Sequence, residues 1–293
     1  MSGTAKVTVK IHSYANTDKA PDIEGVNGTL YVKGFDTFCN VIPAREFPFI
    51  GEAGAETIDI EFDVHVGDTI GVTAKIPGKG ASCQLVSKIV SDCTIEPEVY
   101  PAGMYELGDS SLSSSPSGDG YNGLVIVTED FAILWPKKQS DGALTESREW
   151  GPLFQNIPGV IVTEQDSEAI KDFDGALNTA AILSAISNES AAKFASKVPV
   201  PYYCIFGSFL PSAGILKYLY DHKAEINALI DAEMQEYDEG EYQKIPDNYV
   251  WSSTLYDDAV KAWYADIKYG RAYGNNRNVG QSVCAVSAFQ TLY

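Results

Sequence analysis

Histidine is nearly missing from this chain: His12, His65 and His222 are the three in 293 residues. None lies at a recognisable motif distance from a serine or cysteine nucleophile, so a hydrolytic triad is not expected. Positive charge is scarce as well. Twenty-one Lys and Arg stand against 40 Asp and Glu, giving a formal net charge of -19 and a pI near 4.4. Long-range attraction to phosphate backbones or anionic lipid needs clustered cations, so nucleic acid is not an expected partner. Acidity of this size reads as a device for solubility.

Cysteines are few, odd in number and irregularly placed at Cys39, Cys83, Cys93, Cys204 and Cys284. With no Cys-x-x-Cys pair, neither a disulfide framework nor a zinc site is indicated. Cys83 and Cys93 have a spacing that suits a hairpin bridge in an oxidising compartment, although buried thiols are the commoner state of such cysteines. No apolar run reaches membrane-spanning length, and Lys6 to Ile11 alternates apolar and polar residues instead of forming a signal peptide or anchor. Membrane insertion is therefore not expected. The cytoplasm, a particle such as a virion, and a cell surface reached with a signal trimmed from this chain all stay open, with surface or virion as the expectation.

Two ligand motifs are also missing. No Gly-rich phosphate loop follows a strand, and Gly274-Asn275-Asn276 is too short to serve as one. The acidic run from Asp231 to Asp247 lacks the Asp-x-Asp-x-Asp-Gly order of a calcium loop and reads as a solvated helix end. No metal and no cofactor are expected.

What the chain has in quantity is aromatic surface chemistry: 17 Tyr against 12 Phe, the balance of a β-rich binding protein with half-exposed rings. The length suggests two domains, each with a sizeable core. Period-two runs at Lys6–Ile11, Thr29–Lys33, Thr57–Val66, Thr69–Ile76, Gln84–Val90 and Thr94–Tyr100 are separated by turn signals such as Gly67-Asp68 and Pro77-Gly78-Lys79-Gly80. They predict a β-sandwich over residues 1–102. The Ser- and Gly-rich stretch near Gly108 to Gly120 places a linker at 103–118. Residues 119–293 then form a second domain. It opens on two buried strands, Leu124–Val127 and Phe131–Leu134, and continues with helices over Asp174–Ala195 and Ser212 to about Met234, capped by Asp174 and Ser212. The predicted fold class is α+β.

The richest stretch is Tyr249-Val250-Trp251-Ser252-Ser253-Thr254-Leu255-Tyr256, followed by Ala262-Trp263-Tyr264-Ala265-Asp266-Ile267. On a strand, Trp263, Ala265 and Ile267 share one side, and Tyr264, Asp266 and Lys268 the other. After a turn at Tyr269-Gly270, residues Arg271, Tyr273 and Asn275 project together, and Asn275-Asn276-Arg277-Asn278 is too polar for a core. A hairpin of Tyr, Asn, Asp and Arg over Trp and aliphatics suits recognition at low entropic cost.

Two resemblances follow. Phe62 to Ile70 looks like the strand, turn and strand of immunoglobulin-like modules on bacterial surface proteins and phage appendages. Trp251-Ser-Ser-Thr, Ala262-Trp263-Tyr264 and the glycine and asparagine stretch form an ordered set with two upstream motifs. These are Phe209-Leu210-Pro211-Ser212 opening a helix and the small-residue helix Asp174-Gly-Ala-Leu-Asn-Thr-Ala-Ala-Ile-Leu. The set resembles the formylglycine-generating-enzyme-like branch of the C-type lectin fold, and more narrowly the variable proteins of diversity-generating retroelements on cell surfaces and phage tail tips. The match covers about Asp119 to Phe289. It departs from the pattern at Leu255, where the family has Glu, and at Ser282-Val283-Cys284-Ala285-Val286, where it has an arginine-bearing closing strand.

The resemblance implies a stable scaffold, with Trp251, Trp263 and Ile267 inside it, under a nearly flat ligand surface. On matching positions the ligand-binding candidates are Asp257, Asp258, Lys261, Tyr264, Asp266, Lys268, Tyr269, Arg271, Tyr273, Asn275, Asn276, Arg277, Asn278 and Gln281. No catalytic residue is expected. The cysteine-oxidising relatives use a paired cysteine site, and Cys204 and Cys284 are the lone cysteines of this part. Calcium-bridged sugar binding has no Glu-Pro-Asn or Trp-Asn-Asp to rest on. The expected function is non-enzymatic, an adhesin or tail-tip receptor binder whose partner is a protein or glycan on another cell or particle. The alternative is a structural subunit of a tail or fimbria, a homo-oligomer in which the same surface packs on a sister chain.

Overall fold

A computed structural model describes residues 3–13, 25–51, 57–107, 112–113, 123–136, 147–198, 207–237, 243–257 and 259–289. Strand predominates among them, with five helices, all in the second half. The first half is β1 (Thr4–Ser13), β2 (Asn27–Phe35), β3 (Val41–Ile50), β4 (Thr57–His65), β5 (Thr69–Ile76), β6 (Gly80–Ser82), β7 (Leu85–Lys88), β8 (Cys93–Ile95) and β9 (Glu98–Pro101). These strands join in one sheet of order β3-β2-β5-β6-β9-β1-β4, with β7 beside β5 and β8 beside β1. Because β5 pairs with β7 along Thr69–Val72 and with β6 at Lys75–Ile76, the sheet forks and curls over its core.

Period-two patterning does what the sequence leads one to expect: Ala5, Val7, Val9 and Ile11 of β1 are all buried, each worth about 1.5–3 kcal/mol for the larger aliphatics. Three features differ from the sequence reading. Strand β3 carries Pro43 and Pro48, which argue against a strand, but it lies at the sheet edge where a missing N–H leaves no ladder bond unmade. The run Thr94–Tyr100 divides into β8 and β9 around Pro97, whose carbonyl instead accepts from the His12 N–H at 2.9 Å. And β1 runs parallel, not antiparallel, to both of them.

The second half comprises β10 (Gly103–Leu107), β11 (Leu112–Ser113), β12 (Gly123–Val127), β13 (Ala132–Pro136), β14 (Arg148–Glu149), α1 (Asp166–Ala169), α2 (Gly175–Ala185) and α3 (Ala191–Ala195). It continues with β15 (Ser208–Phe209), α4 (Ala213–Asp221), α5 (Lys223–Tyr237), β16 (Tyr249–Leu255), β17 (Lys261–Asp266), β18 (Arg271–Asn276), β19 (Gly280–Gln281) and β20 (Val286–Ser287). A six-stranded sheet has the order β11-β10-β12-β13-β20-β15, β14 pairs with β19, and β16-β17-β18 form a separate small sheet. Composition assigns Gly103–Leu107 to a linker. The chain forms β10 there because Tyr105 and Leu107 are buried and the backbone pairs with β12 along its whole length. Of the rest of the expected linker, residues 108–111 and 114–118 lie outside the described residues.

Both long helices are interrupted. Ile186 is extended (φ -110°, ψ 111°), and Ser190 restarts the chain by capping α3, its side chain accepting from Lys193 N at 3.2 Å. The second breaks at His222, between α4 and α5. Neither expected cap forms. The Asp174 carboxylate accepts from Lys33 Nζ at 2.5 Å and Gln84 Nε2 at 2.8 Å, and the Ser212 hydroxyl donates to the Asp172 carbonyl at 2.6 Å. Each side chain is committed to a partner across the fold instead of its own helix.

Two main buried clusters hold the chain together, and both halves contribute to each. The larger runs from Ala5 to Phe289, including a Tyr100–Phe289 ring contact at 4.6 Å, and the second packs Phe35 of β2 with Trp150, Leu177 and Trp251. The described cysteines are thiols. Cys83 Sγ, whose spacing from Cys93 suits a bridge, accepts instead from Phe289 N at 3.4 Å; Cys204 lies outside the described residues.

Candidate ligand-binding surface

The small sheet is anchored by its tryptophans. Indole N–H groups of Trp150, Trp251 and Trp263 donate to the carbonyls of Ser252 (2.7 Å), Arg148 (2.8 Å) and Thr163 (2.7 Å), so each ring is buried with its one polar atom satisfied. Between Trp251 and Leu255 the register shifts, and the bulged Ser252, Ser253 and Thr254 are wholly buried. Ser252 Oγ donates to the Trp263 carbonyl at 3.0 Å. Thr254 Oγ1 donates to Asp172 Oδ2 at 2.7 Å and accepts from Ala213 N at 2.9 Å. The Trp-Ser-Ser-Thr motif is thus a polar seam that fastens the sheet to α2 and α4.

Asp172 sits at the centre of that seam. Asn178 Nδ2 and the Asp174 N–H also donate to its carboxylate, at 2.8 and 2.9 Å. Complete burial, and then the Asp174 carboxylate nearby, push its pKa up to about 6.

Residues directly opposite in neighbouring strands share a face. Tyr249 stands opposite Asp266, Trp251 opposite Tyr264, Tyr264 opposite Tyr273, Asp266 opposite Arg271 and Ala262 opposite Asn275. Three tyrosines therefore form a row across the three strands. The Tyr249–Tyr264 and Tyr264–Tyr273 ring centroids are each 5.7 Å apart, with Trp251 edge-on beneath Tyr264 at 6.0 Å. The outer rings are the open ones: Tyr249 is 49% and Tyr273 39% exposed. Burial, and then the neighbouring Tyr249, Tyr273 and Asp266, raise the Tyr264 pKa and keep its hydroxyl neutral. The Arg271 guanidinium, hydrogen-bonded by Tyr273, is held more firmly in its charged form.

The sequence candidates do not all come together. Tyr264, Arg271, Tyr273 and Asn275 come together on this face. Lys268 and Tyr269 are exposed at the turn, with the ammonium 5.2 Å from the ring, and Asn278 is exposed beyond β18. Lys261 and Asn276 are paired on the opposite face, where the Lys261 ammonium stands 5.2 Å from the Tyr256 ring, so one flat surface does not hold them all. Gln281 is a half-buried ladder partner of Arg148.

Three candidates are corrected to structural roles. Asp266 is buried, and its Oδ1 accepts from the N–H groups of Lys268 and Tyr269, which shapes the turn. Asp257 Oδ1 accepts from Ala259, Val260 and Lys261 N–H groups. Burial opposes ionisation, but those donors and Arg277 outweigh it and hold the carboxyl below its ordinary range. Arg277, too polar for a core by composition, is fully buried. It donates to the carbonyls of Gln155 (2.7 Å) and Asp257 (2.9 Å) and lies 5.0 Å from the Trp150 ring. Asp258 lies outside the described residues.

Tyr249 is the residue that sequence reasoning missed. Its signal was its position two before Trp251, which put it on the Trp251 side of the strand at the open end of the row. The surface offers rings, hydroxyls, an amide and a guanidinium, which is equipment for recognition. Among the described residues no group of three His, Cys, Asp or Glu is placed to hold a metal ion, and no helix is long and apolar enough to cross a membrane.

No family model matches the sequence, and no curated protein matches it. Among solved structures, a crystal structure from Parabacteroides distasonis ATCC 8503, described as "Putative cell adhesion protein", is 15% identical. The match covers 46% of this chain and 52% of that one, about half its length, with a TM-score of 0.23. At that score the likeness carries no argument.

Proposed function

We propose that the chain is a non-enzymatic binding protein of the adhesin or tail-tip type, which engages a protein or glycan through the row Tyr249–Tyr264–Tyr273 and the adjoining Arg271 and Asn275. The observation that carries this reading is the row itself: exposed rings on a rigid sheet whose tryptophans are anchored by hydrogen bonds. Such rings need little ordering on binding, and aromatic and Arg anchors dominate typical interfaces. The fold reading that goes with it is an immunoglobulin-like first half and a C-type-lectin-like second half. The buried Trp251-Ser-Ser-Thr seam and the return of the last strand to the sheet support the second part.

Immobilised protein is tested against a glycan panel and whole cells, with Tyr273→Ala and Arg271→Ala compared with the unmodified chain. Loss of adhesion by both variants, each still melting cooperatively within a few degrees of the unmodified chain, supports the reading; adhesion that survives both sinks it. A structural-subunit reading has one observation in its favour. The edge strand β3 leaves Val41 and Ile50 63% and 62% exposed, and open edges invite strand addition. Light scattering that showed a dimer or larger species, lost in Val41→Lys, would favour it. Programmed variation of this segment is a separate matter, tested by the presence of a reverse transcriptase and a near copy of the segment beside the gene.

A further inference from the structure

A cavity of about 230 Å³ separates the outer face of β2 and β5 from the part of the second half around Phe131 and Phe173. It lies away from the tyrosine row and shares none of its residues. Leu30, Val32, Val72 and Ala74 turn into the core, so the alternate residues Tyr31, Lys33, Thr73 and Lys75 face outward to the cavity. Tyr31 pairs with Thr73, and the register sets Lys33 and Lys75 on opposite sides of that pair.

The lining departs from the charge balance of the molecule. Across the whole chain, acids outnumber bases by 40 to 21, but the lining holds Lys33, Arg45, Lys75 and Lys171 against Glu46, Asp130 and Asp174, with Lys171 paired to Glu168 outside the lining at 2.8 Å. Two of the carboxylates are already engaged. Asp174 is held by Lys33 at 2.5 Å and by Gln84 at 2.8 Å, and Asp130 by Lys75 at 3.1 Å. The aromatic faces are engaged as well, since the Lys75 ammonium lies 5.1 Å from the Tyr31 ring and 5.7 Å from that of Phe173. An incoming organic cation would thus have to displace the Lys75 ammonium from the ring faces it covers and would find two of the three lining carboxylates already paired. Each ammonium, by contrast, has three donors and uses one on its carboxylate.

We propose that this cavity is a second ligand site that takes a small organic anion, a carboxylate on a flat apolar body, with the acid group between Lys33 and Lys75 and the body against Tyr31, Phe131 and Phe173. Its volume falls just under the roughly 300–1,000 Å³ of drug-sized sites, which suits a single-ring acid. Because Lys33 reaches Asp174 and Lys75 reaches Asp130, the ligand would touch the same side chains that bind the two halves together.

Benzoate is the probe, with acetate and the neutral isostere benzamide as controls, measured by calorimetric titration on the full chain. Benzoate is expected to bind saturably at one site, acetate at least tenfold more weakly, and benzamide not at all. Lys75→Met should weaken benzoate at least tenfold. Thr73→Leu, which leaves both ion pairs intact and fills the space between the ammonium groups, should abolish binding; it decides the matter if Lys75→Met does not fold. Tyr273→Ala, on the tyrosine row, should leave benzoate binding unchanged, which separates this site from the proposed adhesive surface. Failure of benzoate to saturate by about 10 mM, the weak end of measurable affinity, equal binding of benzamide, or undiminished binding by Thr73→Leu would overturn the proposal.

Discussion

Tyr264 and Tyr273 stand directly opposite each other on β17 and β18, ring centroids 5.7 Å apart and planes inclined by 34°. Tyr264 is the inner member, wedged between Tyr249 and Trp251 as well, whereas Tyr273 is open to solvent on its far side. The two should therefore respond differently to truncation. Tyr273→Ala removes one ring contact and should cost about 1 kcal/mol or less of stability. Tyr264→Ala removes three and should cost about 2–3 kcal/mol. Urea denaturation of the two variants checks the order, and equal costs would mean that the row is not a packed unit.

Arg277 carries a second prediction. Its guanidinium reaches two carbonyls on different loops and lies over Trp150, so its planar fork is what closes them together. Hydrogen bonds from a charged donor contribute about 1.5–3 kcal/mol each. Arg277→Ala should therefore lower stability by about 3 kcal/mol, and Arg277→Lys should recover little, since one ammonium does not span both carbonyls. Denaturation midpoints of the two variants decide this. Full recovery by Lys would show that charge alone suffices.

Arg277 also shows where sequence reasoning stops. The alternation that puts Tyr264, Arg271, Tyr273 and Asn275 on one side is a property of a single strand, and it was legible, as was the buried alternation of β1. The role of Arg277 depends on carbonyls brought up from elsewhere, and no period encodes it. Asp257 and Asp266 instead accept from N–H groups two to four residues on, a local turn chemistry that strand alternation does not carry. What holds for Arg277 holds for Asp174, whose carboxylate leaves its helix for Lys33, 141 residues away. Strand β3 was hidden for a different reason: its prolines exclude an interior strand but not an edge, and edge position is set by the whole sheet.

The hairpin turn supplies a third prediction. Gly270 has φ +65°, and a Cβ placed there would lie 1.9 Å from a Tyr220 ring atom. Gly270→Ala must adopt a left-handed conformation, costing about 1–2 kcal/mol, and must also displace Tyr220 from α4. The Gly270 N–H bond to the Asp266 carbonyl should then open more readily, which amide hydrogen exchange measures. Gly270→Ala/Tyr220→Ala should regain the steric part of the loss and not the backbone part.

Cys284 offers a chemical test of burial. Desolvation pushes its thiol up to about 12, and the thiolate is the reactive form. Iodoacetamide at pH 8 should leave Cys284 unmodified in the native chain and label it in urea, as read by mass spectrometry. Native labelling would mean that the β20 segment opens to solvent.

Asp172 gives the pH dependence. Its folded pKa of about 6 lies above the ordinary 3.8, burial being the main cause and the Asp174 carboxylate the second. The folded state therefore holds the proton more tightly than the unfolded chain between about pH 4 and pH 6. Stability from this group is fully present below the unfolded value, falls as pH rises through the window, and stays low above pH 6, where both states are ionised. A tenfold difference in proton affinity between the folded and unfolded states is worth about 1.4 kcal/mol, so the fall is of order 3 kcal/mol. Asp172→Asn cannot ionise and should lack this fall, although its amide cannot accept all the bonds made by Asn178, Thr254 and the Asp174 N–H and will cost stability at every pH. The quantity to follow is the stability difference between the unmodified chain and Asp172→Asn in urea at pH 4, 5, 6 and 7. It should shrink steadily to pH 6 and then level. A difference that is constant from pH 4 to 7 would mean that the seam accommodates the carboxylate as an ion, with the three donors outweighing burial.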